Sequence, residues 1–537
     1  MDNKNDFKTS NTEMVTISRA EYEHLQAQNQ WLMEQLRILK KRAYGTSSEK
    51  ASEEVYEQLS LLFNEAEAYV DAESCDAAKA PAVEVKAHSR KKKPSKVRDI
   101  VPANIPVEVV EHHLSGEELA CPQCGSQMTA IGKEIRETLV FKPAEAYIRQ
   151  DVYYSYACQN CRESDESTLD ETSESKEQAV PVVRAQREPA LIPGGYASAE
   201  AVAHIAVQKF KMGSPLYRQE QEWNAAGVML SRQTMSNWLI RCSGDWCRPI
   251  YDELRQRLIG QHDLLHADET VVQVLHEPGR APQTKSYMWL YRTSGDAEHP
   301  IVLYDYQPGR GQEYPEAFLA GFRGYLQTDG YSGYNGLRDV VHVGCWAHAR
   351  RKFEEARQAV PNGKRSPTAE EGVAYCTKLF DLETRFKDLP PEERRNKRLE
   401  QAKPVLDAML SWANTRNAAP KSKLGIALNY LKNQWQTLIA YLEDGRIELS
   451  NNRAERSIKP FVIARKNFLF ANTPSGAESS AVLFSLIETA KEEGLDPYRY
   501  LVWLFREAPA RFCTDRNWAA SLLPQCAPAE CRTHATN

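Results

Sequence analysis

Three acidic residues from distant parts of the chain have the residue types needed for phosphoryl-transfer chemistry: Asp268, Asp329 and Glu455. Asp268 lies in an apolar run, Asp329 precedes a Gly-Tyr pair, and Glu455 stands among amides and cations. Carboxylate oxygens are ligands that Mg²⁺ prefers. Two such ions about 3.5–4 Å apart activate an attacking oxygen and neutralise a leaving one. The three residues therefore indicate a metal-dependent site, with Mg²⁺ or Mn²⁺ as the cofactor.

Neighbouring acids make other choices possible, because the chain contains 73 Asp and Glu residues. Glu269 competes with Asp268, but adjacent residues of a strand point to opposite faces of a sheet. Residues 450–470, which contain Glu455, also fit a solvated helix with salt bridges. The choice of Glu455 therefore depends on the acidic residues upstream.

The stretch 450–470 supplies amides and cations around its single glutamate. Helical spacing places Asn451 and Glu455 on one face, where Asn451 and Asn452 would orient the carboxylate or a phosphate. The run ARKNFLF at its end either stacks on an unpaired base or forms a packed strand. We predict DNA contacts for five cations of this stretch: Arg453, Arg456, Lys459, Arg465 and Lys466.

A second group of polar residues lies in GCWAHARRKF. Cys345 and His348 are possible metal ligands, but two ligands do not complete a zinc site. A packing or substrate-orienting role is therefore predicted for both. Arg350 and Arg351 begin the next helix and are predicted to contact DNA phosphates.

The elements that position the acids follow from the pattern after residue 262. Segments 266–275, 285–294 and 300–307 alternate like three consecutive strands, and helices then alternate with strands at 324–331 and 340–345. This order predicts a ribonuclease-H-like mixed sheet in which the strands of Asp268 and Asp329 are neighbours. A helical insertion then separates the second aspartate from Glu455.

Four cysteines form two C-x-x-C pairs. Four thiolates satisfy a closed, structural Zn²⁺ site, whereas a redox dithiol explains the two pairs less well. The apolar–polar alternation between the pairs predicts a hairpin that would bring them together. The predicted zinc ligands are Cys121, Cys124, Cys158 and Cys161.

Three helical segments between 196 and 260 have a helix-turn-helix outline. The last segment would bury Met235 and Trp238. It would expose Arg232, Gln233 and Asn237, which are residue types that contact bases and phosphates. An ordinary three-helix packing unit is the alternative.

The N-terminal part has a heptad seam with Leu at the d positions and a single Asn at an a position, Asn29. This pattern favours a parallel two-stranded coil and hence a homo-oligomer, although a helix docked on its own protein also fits. The net charge of −5 leaves DNA binding to local patches. Without a signal peptide or a long apolar run, we expect a cytoplasmic, nucleoid-associated protein and no membrane partner.

The fold class predicted from these patterns is multidomain α+β. A ribonuclease-H-like catalytic core with a helical insertion follows a coiled coil, a zinc-ribbon-like unit and a helical DNA-binding region. The predicted segments are a coil (14–45), a helix and basic linker (46–105), the zinc unit (106–162), a linker (163–195), the helix-turn-helix-like region (196–260), the first part of the core (261–365), the insertion (366–449), the last part of the core (450–512) and a poorly ordered tail (513–537).

Taken together, the motifs resemble those of insertion sequence 66 family transposases over almost the whole chain. They are AYGTSSEK, CPQCG, ACQNC, SPLYRQEQEW, HADET, TDGYSGY, GCWAHARRKF, SNNRAERSIKPFVIARKNFLF and GLDPYRYL. The resemblance implies an Asp-Asp-Glu triad on a ribonuclease-H-like fold, with Asp268 in HADET, Asp329 in TDGY and Glu455 in NRAER. It also implies that the zinc unit and the helices before 260 bind terminal inverted repeats, and that accessory element-encoded proteins take part.

The predicted function is therefore that of a DNA transposase of a bacterial insertion sequence. It would bind the terminal inverted repeats and target DNA, cut the strands and transfer them. One alternative is a zinc-containing repressor without enzymatic activity. Another is a ribonuclease-H-like nuclease that does not join strands.

Overall fold

The computed structural model of the chain describes residues 149–152, 155–157, 182–184, 188–360 and 365–533. The predicted coil, the basic linker and all four zinc cysteines (Cys121, Cys124, Cys158 and Cys161) lie outside the described residues. A short antiparallel pair joins β1 (Ser155–Ala157) to β2 (Val182–Arg184).

A five-stranded mixed sheet forms the centre of the described structure. Its strands are β3 (Leu264–Gln273), β4 (Lys285–Thr293), β5 (Val302–Gln307), β6 (Gly324–Gln327) and β7 (Val340–Val343). The order is β5-β4-β3-β6-β7: β3, β4 and β5 form an antiparallel meander, while β3, β6 and β7 are parallel. The predicted mixed sheet is confirmed. The fourth predicted strand ends early at Gln327, so Asp329 lies in the loop that follows it.

Within the described residues, four helices precede the sheet. They are α1 (Ala199–Phe210), α2 (Leu216–Ala225), α3 (Arg232–Cys242) and α4 (Arg248–Gln261), with a π-helical turn between α3 and α4. Ser231 caps α3 by accepting a hydrogen bond from the Thr234 N–H at 3.1 Å. Met235 and Trp238 are buried, as the spacing predicts. The buried faces of α1, α3 and α4 belong to the same hydrophobic core as the sheet.

The predicted helical insertion packs around a second core. Helices α5 (Glu313–Phe318) and α6 (Trp346–Gln358) belong to the sheet region, and five helices follow them: α7 (Pro367–Phe386), α8 (Pro391–Lys397), α9 (Lys403–Asn414), α10 (Lys423–Asn433) and α11 (Trp435–Ile439). Trp346 and Phe353 of α6 are buried in this core together with Met409 and Leu431. The insertion thus packs on the helix that carries Cys345 and His348 at its start.

Four helices complete the described chain: α12 (Asn452–Phe468), α13 (Pro474–Glu492), α14 (Pro497–Thr514) and α15 (Trp518–Ser521). The packed-strand alternative for ARKNFLF is wrong, because α12 continues through Pro460 to Phe468. The predicted disordered tail is also wrong as far as residue 533, because Trp518, Leu522 and Leu523 are buried in the main core. Among the described helices, none has both the length and the apolar character needed to cross a membrane.

Candidate active site

Asp268 lies in the middle of β3, and Asp329 lies in the loop directly after β6, the parallel neighbour of β3. The register pairs Leu264 with Tyr325 and His266 with Gln327. The same offset, carried two residues further, brings Asp268 level with Asp329. The Oδ1 atom of Asp329 accepts the Tyr331 N–H at 2.9 Å, which holds the loop after β6 in a tight turn.

Glu455 reaches this site from the first turn of α12. Its side chain is 11% exposed, with Oε1 3.5 Å from His348 Nδ1 and Oε2 3.7 Å from Arg351 Nη2. His348 and Arg351 both project from α6. The start of α6 and the start of α12 therefore lie close together at the Glu455 carboxylate.

The electrostatics of Asp268 indicate that the three predicted acids share one site. Its pKa is raised well above the ordinary value, first by burial and then by the negative charges of Glu269, Asp329 and Glu455. Carboxylates brought together in this way repel one another in their charged forms. A divalent cation bound by their hard oxygen ligands would offset that repulsion. The donor set therefore fits a divalent metal ion.

Glu269 has a separate set of partners. Its Oε1 accepts from Arg310 Nε at 2.9 Å, and its Oε2 accepts from the Tyr334 hydroxyl at 2.7 Å. Burial and the charge of Asp329 raise the pKa of Glu269 to about 7, in spite of Arg310. The competing acid is thus bound by a cation and a phenol, which leaves Asp268 as the better candidate in this strand.

Arg310 is a site residue that the sequence analysis missed. Its guanidinium lies 3.6 Å from the centre of the Tyr331 ring, and its side chain remains 39% exposed. Glu269 and Asp329 both raise its pKa, so this fixed cation borders the acidic site. Its loop, PGRGQE, has no periodicity or motif spacing that could have indicated this position.

Asn451 connects the three elements that build the site. Its N–H contacts Cys345 Sγ at 3.2 Å, and its Nδ2 donates to the Ala267 carbonyl at 2.8 Å. Its Oδ1 lies 3.0 Å from His266 Nδ1. The predicted orienting role of Asn451 therefore has a physical basis, since these bonds fix the start of α12 against β3. Asn452 is half-buried beside it.

Cys345, His348 and Glu455 form a compact cluster of possible metal ligands. Their ligand atoms all lie within 4.8 Å of one another. The sequence indicates only Cys345 and His348 as possible ligands, because Glu455 lies beyond the insertion. Burial raises the pKa of the Cys345 thiol to about 12. The pKa of His348 is lowered to about 4 by burial and by Arg351, so its imidazole is neutral at pH 7.

The predicted DNA contacts of α3 lie on its exposed face. Arg232, Gln233 and Asn237 are all exposed, and Gln233 Nε2 donates to Asn237 Oδ1 at 2.9 Å. The backbone N–H of Arg232 donates to Glu220 on α2 at 2.9 Å. In the described part of the chain, this face of α3 therefore presents exposed polar side chains.

The other predicted DNA contacts differ in exposure. On α12, Arg456 and Lys466 are exposed and Lys459 is half-buried. Arg453 Nε donates to Glu448 at 2.6 Å. Arg465 is 8% exposed because it shares the inner face of α12 with Phe461, so it does not present its charge at the surface.

The two arginines of α6 point inward. The Arg351 side chain is 16% exposed and faces Glu455. Arg350 is half-buried, and its Nε has no hydrogen-bond partner among the described residues. Arg351 therefore lies beside the Glu455 carboxylate, which suits a role at the site more than one at an outer surface. Arg350 instead lies near Cys376 of the second core.

Comparison with known proteins decides the family. A family model described as Transposase IS66 family matches residues 194–479, which contain all three acids. The chain belongs to the IS66 transposase family. Three other models of the family match as well: Transposase C of IS166 homeodomain at 31–110, zinc-finger binding domain of transposase IS66 at 118–162, and IS66 C-terminal element at 485–525.

Similar proteins occur in Sinorhizobium fredii (strain NBRC 101917 / NGR234). Uncharacterized protein y4jD is 32% identical over 426 residues, which cover 76% of this chain and 78% of the relative. Uncharacterized protein y4hP is 28% identical over 487 residues, which cover 86% and 83%. The family matches indicate a transposase with zinc-binding and DNA-binding elements, of the nuclease or transferase type. All four predicted zinc cysteines fall inside the matched zinc-finger segment, so this IS66 transposase has a structural zinc unit.

Proposed function

We propose that this IS66 transposase binds the terminal inverted repeats of a bacterial insertion sequence and catalyses metal-dependent DNA cleavage and strand transfer. The observation that supports the proposal is geometric: the register of β3 and β6 brings Asp268 level with Asp329, and Asn451 fixes the start of α12, which carries Glu455, to β3. The chain would act at the nucleoid, where its DNA substrates are.

The strand order supports a ribonuclease-H-like fold for the catalytic core. An antiparallel meander of three strands is followed by two parallel strands that add to its first strand. In this arrangement β3 and β6 are neighbours that lead to the two aspartates. The fold thus accounts for the closeness of acids that lie far apart in the sequence.

We infer that Asp268, Asp329 and Glu455 would hold Mg²⁺ or Mn²⁺. When bound, such ions activate the attacking oxygen of water or of a 3′-hydroxyl and neutralise the leaving oxygen. Asn451 would keep α12 in register with β3, so that the Glu455 carboxylate stays beside the aspartates. Arg351 would orient that carboxylate.

Recognition of the element ends would use other parts of the chain. The exposed face of α3 offers Arg232, Gln233 and Asn237 to bases and phosphates. On α12, Arg456, Lys459 and Lys466 would contact the backbone beside the cut. The zinc unit and accessory element-encoded proteins would complete the complex on the terminal repeats.

Single substitutions of the acids test the proposal. Asp268→Asn, Asp329→Asn and Glu455→Gln should each abolish Mg²⁺-dependent nicking of labelled element ends, because each removes a charged oxygen ligand. Binding to those ends, measured by gel shift, should persist. Asp305→Asn is the matched control, since Asp305 is an acid of the same sheet whose Oδ2 accepts from Gln307 on the edge strand β5.

Nicking by Asp329→Asn at the rate of the unchanged protein would contradict the proposal. Nicked but never joined DNA products would indicate a nuclease without strand transfer. End binding without nicking in the unchanged protein would favour a repressor.

A further inference from the structure

We propose that Cys345, His348 and Glu455 form a second metal site, selective for thiophilic divalent cations such as Zn²⁺, whose occupation removes Glu455 from the catalytic carboxylates. The site would make the transposase sensitive to inhibition by zinc. Its inhibitory effect rests on the proposed role of Glu455, whereas metal binding itself does not.

The geometry of the cluster is close to that of a bound zinc ion. Cys345 is the N-cap of α6 and His348 follows three residues later, which places both on one face of the helix start. Zinc bonds of about 2.0–2.3 Å in a tetrahedron place ligand atoms about 3.5 Å apart. The present limit of 4.8 Å therefore requires a contraction of only about 1 Å. Rotation of the Glu455 side chain would bring its carboxylate oxygen closer to the other two ligand atoms by much of this distance.

The ligand types favour zinc over magnesium. One sulfur, one imidazole nitrogen and one carboxylate oxygen suit a borderline-soft ion, whereas Mg²⁺ requires hard oxygen ligands in octahedral geometry. Three protein ligands leave one tetrahedral position for water or a phosphate oxygen. When the zinc–sulfur bond forms, the Cys345 thiol releases one proton to solvent, and the neutral imidazole releases none.

The neighbouring residues fix the position of the Cys345 sulfur, and their charges both favour and disfavour a bound cation. The Asn451 N–H fixes the Cys345 sulfur, and the same contact ties that sulfur to the turn that delivers Glu455. Arg351 and Lys352 are cations of the same helix and disfavour a further positive charge. The thiolate and the Glu455 carboxylate together supply two negative charges, and Asp329 adds a third nearby.

Competition for Glu455 follows from the shared ligand. Binding of zinc beside Cys345 would turn the Glu455 carboxylate toward the start of α6 and away from Asp268 and Asp329. Zinc should therefore inhibit cleavage at concentrations far below that of Mg²⁺, and excess Mg²⁺ should not restore full activity while the thiolate holds the ion.

Metal content of the full chain tests the site without reference to activity. The unchanged protein should bind about one zinc ion more than its four-cysteine unit requires. With ¹¹³Cd²⁺ as the probe, NMR should show a four-thiolate resonance and a second resonance from a one-thiolate site. Cys345→Ser should remove the second resonance only. Cys376→Ser is the matched control, because Cys376 is an equally buried free cysteine on α7.

His348→Gln provides an independent variant that should lose the same resonance if Cys345→Ser fails to fold. A second resonance that survives in both variants would overturn the proposal, as would its absence from the unchanged protein.

A zinc titration of nicking in Mg²⁺ tests the inhibition. The starting protein has its four-cysteine unit already loaded, and Cys345→Ser should require at least tenfold more zinc than Cys376→Ser for half inhibition. Equal inhibition of the two variants would overturn the competition. Loss of nicking in every protein, with the second cadmium resonance intact, would instead contradict the proposed function and leave the metal site standing.

Discussion

At the scale of single residues, Arg310 supplies a fixed positive charge beside an otherwise acidic site. Glu269 and the ring of Tyr331 hold the guanidinium in place, and the Tyr331 hydroxyl donates to the Arg310 carbonyl at 2.6 Å. An arginine that is pre-organised in this way loses little entropy when it binds a phosphate. We therefore expect Arg310 to contact the DNA backbone near Asp329.

Arg310→Gln should lower the nicking rate about 10- to 100-fold, as expected for the loss of a charge-assisted hydrogen bond of about 1.5–3 kcal/mol. End binding should change less, because many other contacts hold the DNA. The rate on labelled ends and the gel-shift affinity are the two measurements. Arg323→Gln, at an exposed arginine of the same region, is the control and should retain full activity. Equal rates for the two variants would remove Arg310 from the site.

The candidate acids could be found from the sequence because each stands in a marked local context. Asp268 interrupts an apolar strand, and Glu455 is the single acid of a basic stretch. Arg310 could not be found in this way, since its position depends on Glu269 and Tyr331 from two other segments. The sequence indicates Cys345 and His348 as possible ligands, but Glu455 joins them only because α12 packs against the start of α6.

At the scale of elements, the buried Arg398 fixes the segment that leads into α12. Its guanidinium forms an ion pair with Glu383 at 2.8 Å. It also donates to the carbonyls of Tyr441, Asp444 and Ile447 at 2.8–2.9 Å. These carbonyls lie in a segment with little regular structure. Arg398 therefore donates hydrogen bonds that a strand or a longer helix would otherwise provide. The helical insertion thereby anchors the turn that delivers Glu455.

Arg398→Met should lower the free energy of unfolding by about 3–5 kcal/mol, because the largely enclosed Glu383 would lose its cation and the buried carbonyls of Tyr441 and Ile447 would lose their donor. Urea denaturation of the full chain measures this change. Arg416→Met is the control: Arg416 pairs with Glu371 at a more exposed position and should cost at most about 1 kcal/mol. Similar losses for both variants would show that Arg398 does not have this anchoring role.

Periodicity predicted the regular elements closely but not their irregular ends. The strand predicted at 285–294 begins at Lys285 and ends at Thr293. The π-helical turns at 243–247 and 398–402 have no such pattern, because they depend on tertiary packing. The sequence predicts a poorly ordered tail from residue 513, because the residues that are buried there, Trp518, Leu522 and Leu523, are too few to form a recognisable period.

At the scale of the whole molecule, the family matches place three kinds of element along one chain. The zinc-finger segment covers residues 118–162, the transposase model covers 194–479, and a further segment at 31–110 overlaps the predicted coil. Strand transfer joins DNA ends that lie far apart on the element. A protein that brings two ends together gains from association with a second copy, which is the role we propose for residues 14–45.

Deletion of residues 1–45 should therefore lower the mass measured by light scattering from that of an oligomer to that of one chain. The deletion removes the leucines at the d positions, Leu25, Leu32 and Leu39, which are predicted to form the apolar seam with a second copy. Deletion of residues 1–13 removes only the polar start and is the matched control. The longer deletion should still nick a single end but form fewer joined products, because pairing of ends requires two copies whereas the acids lie in one. An unchanged mass after the longer deletion would contradict the coil, and joined products at the full level would show that pairing uses another surface.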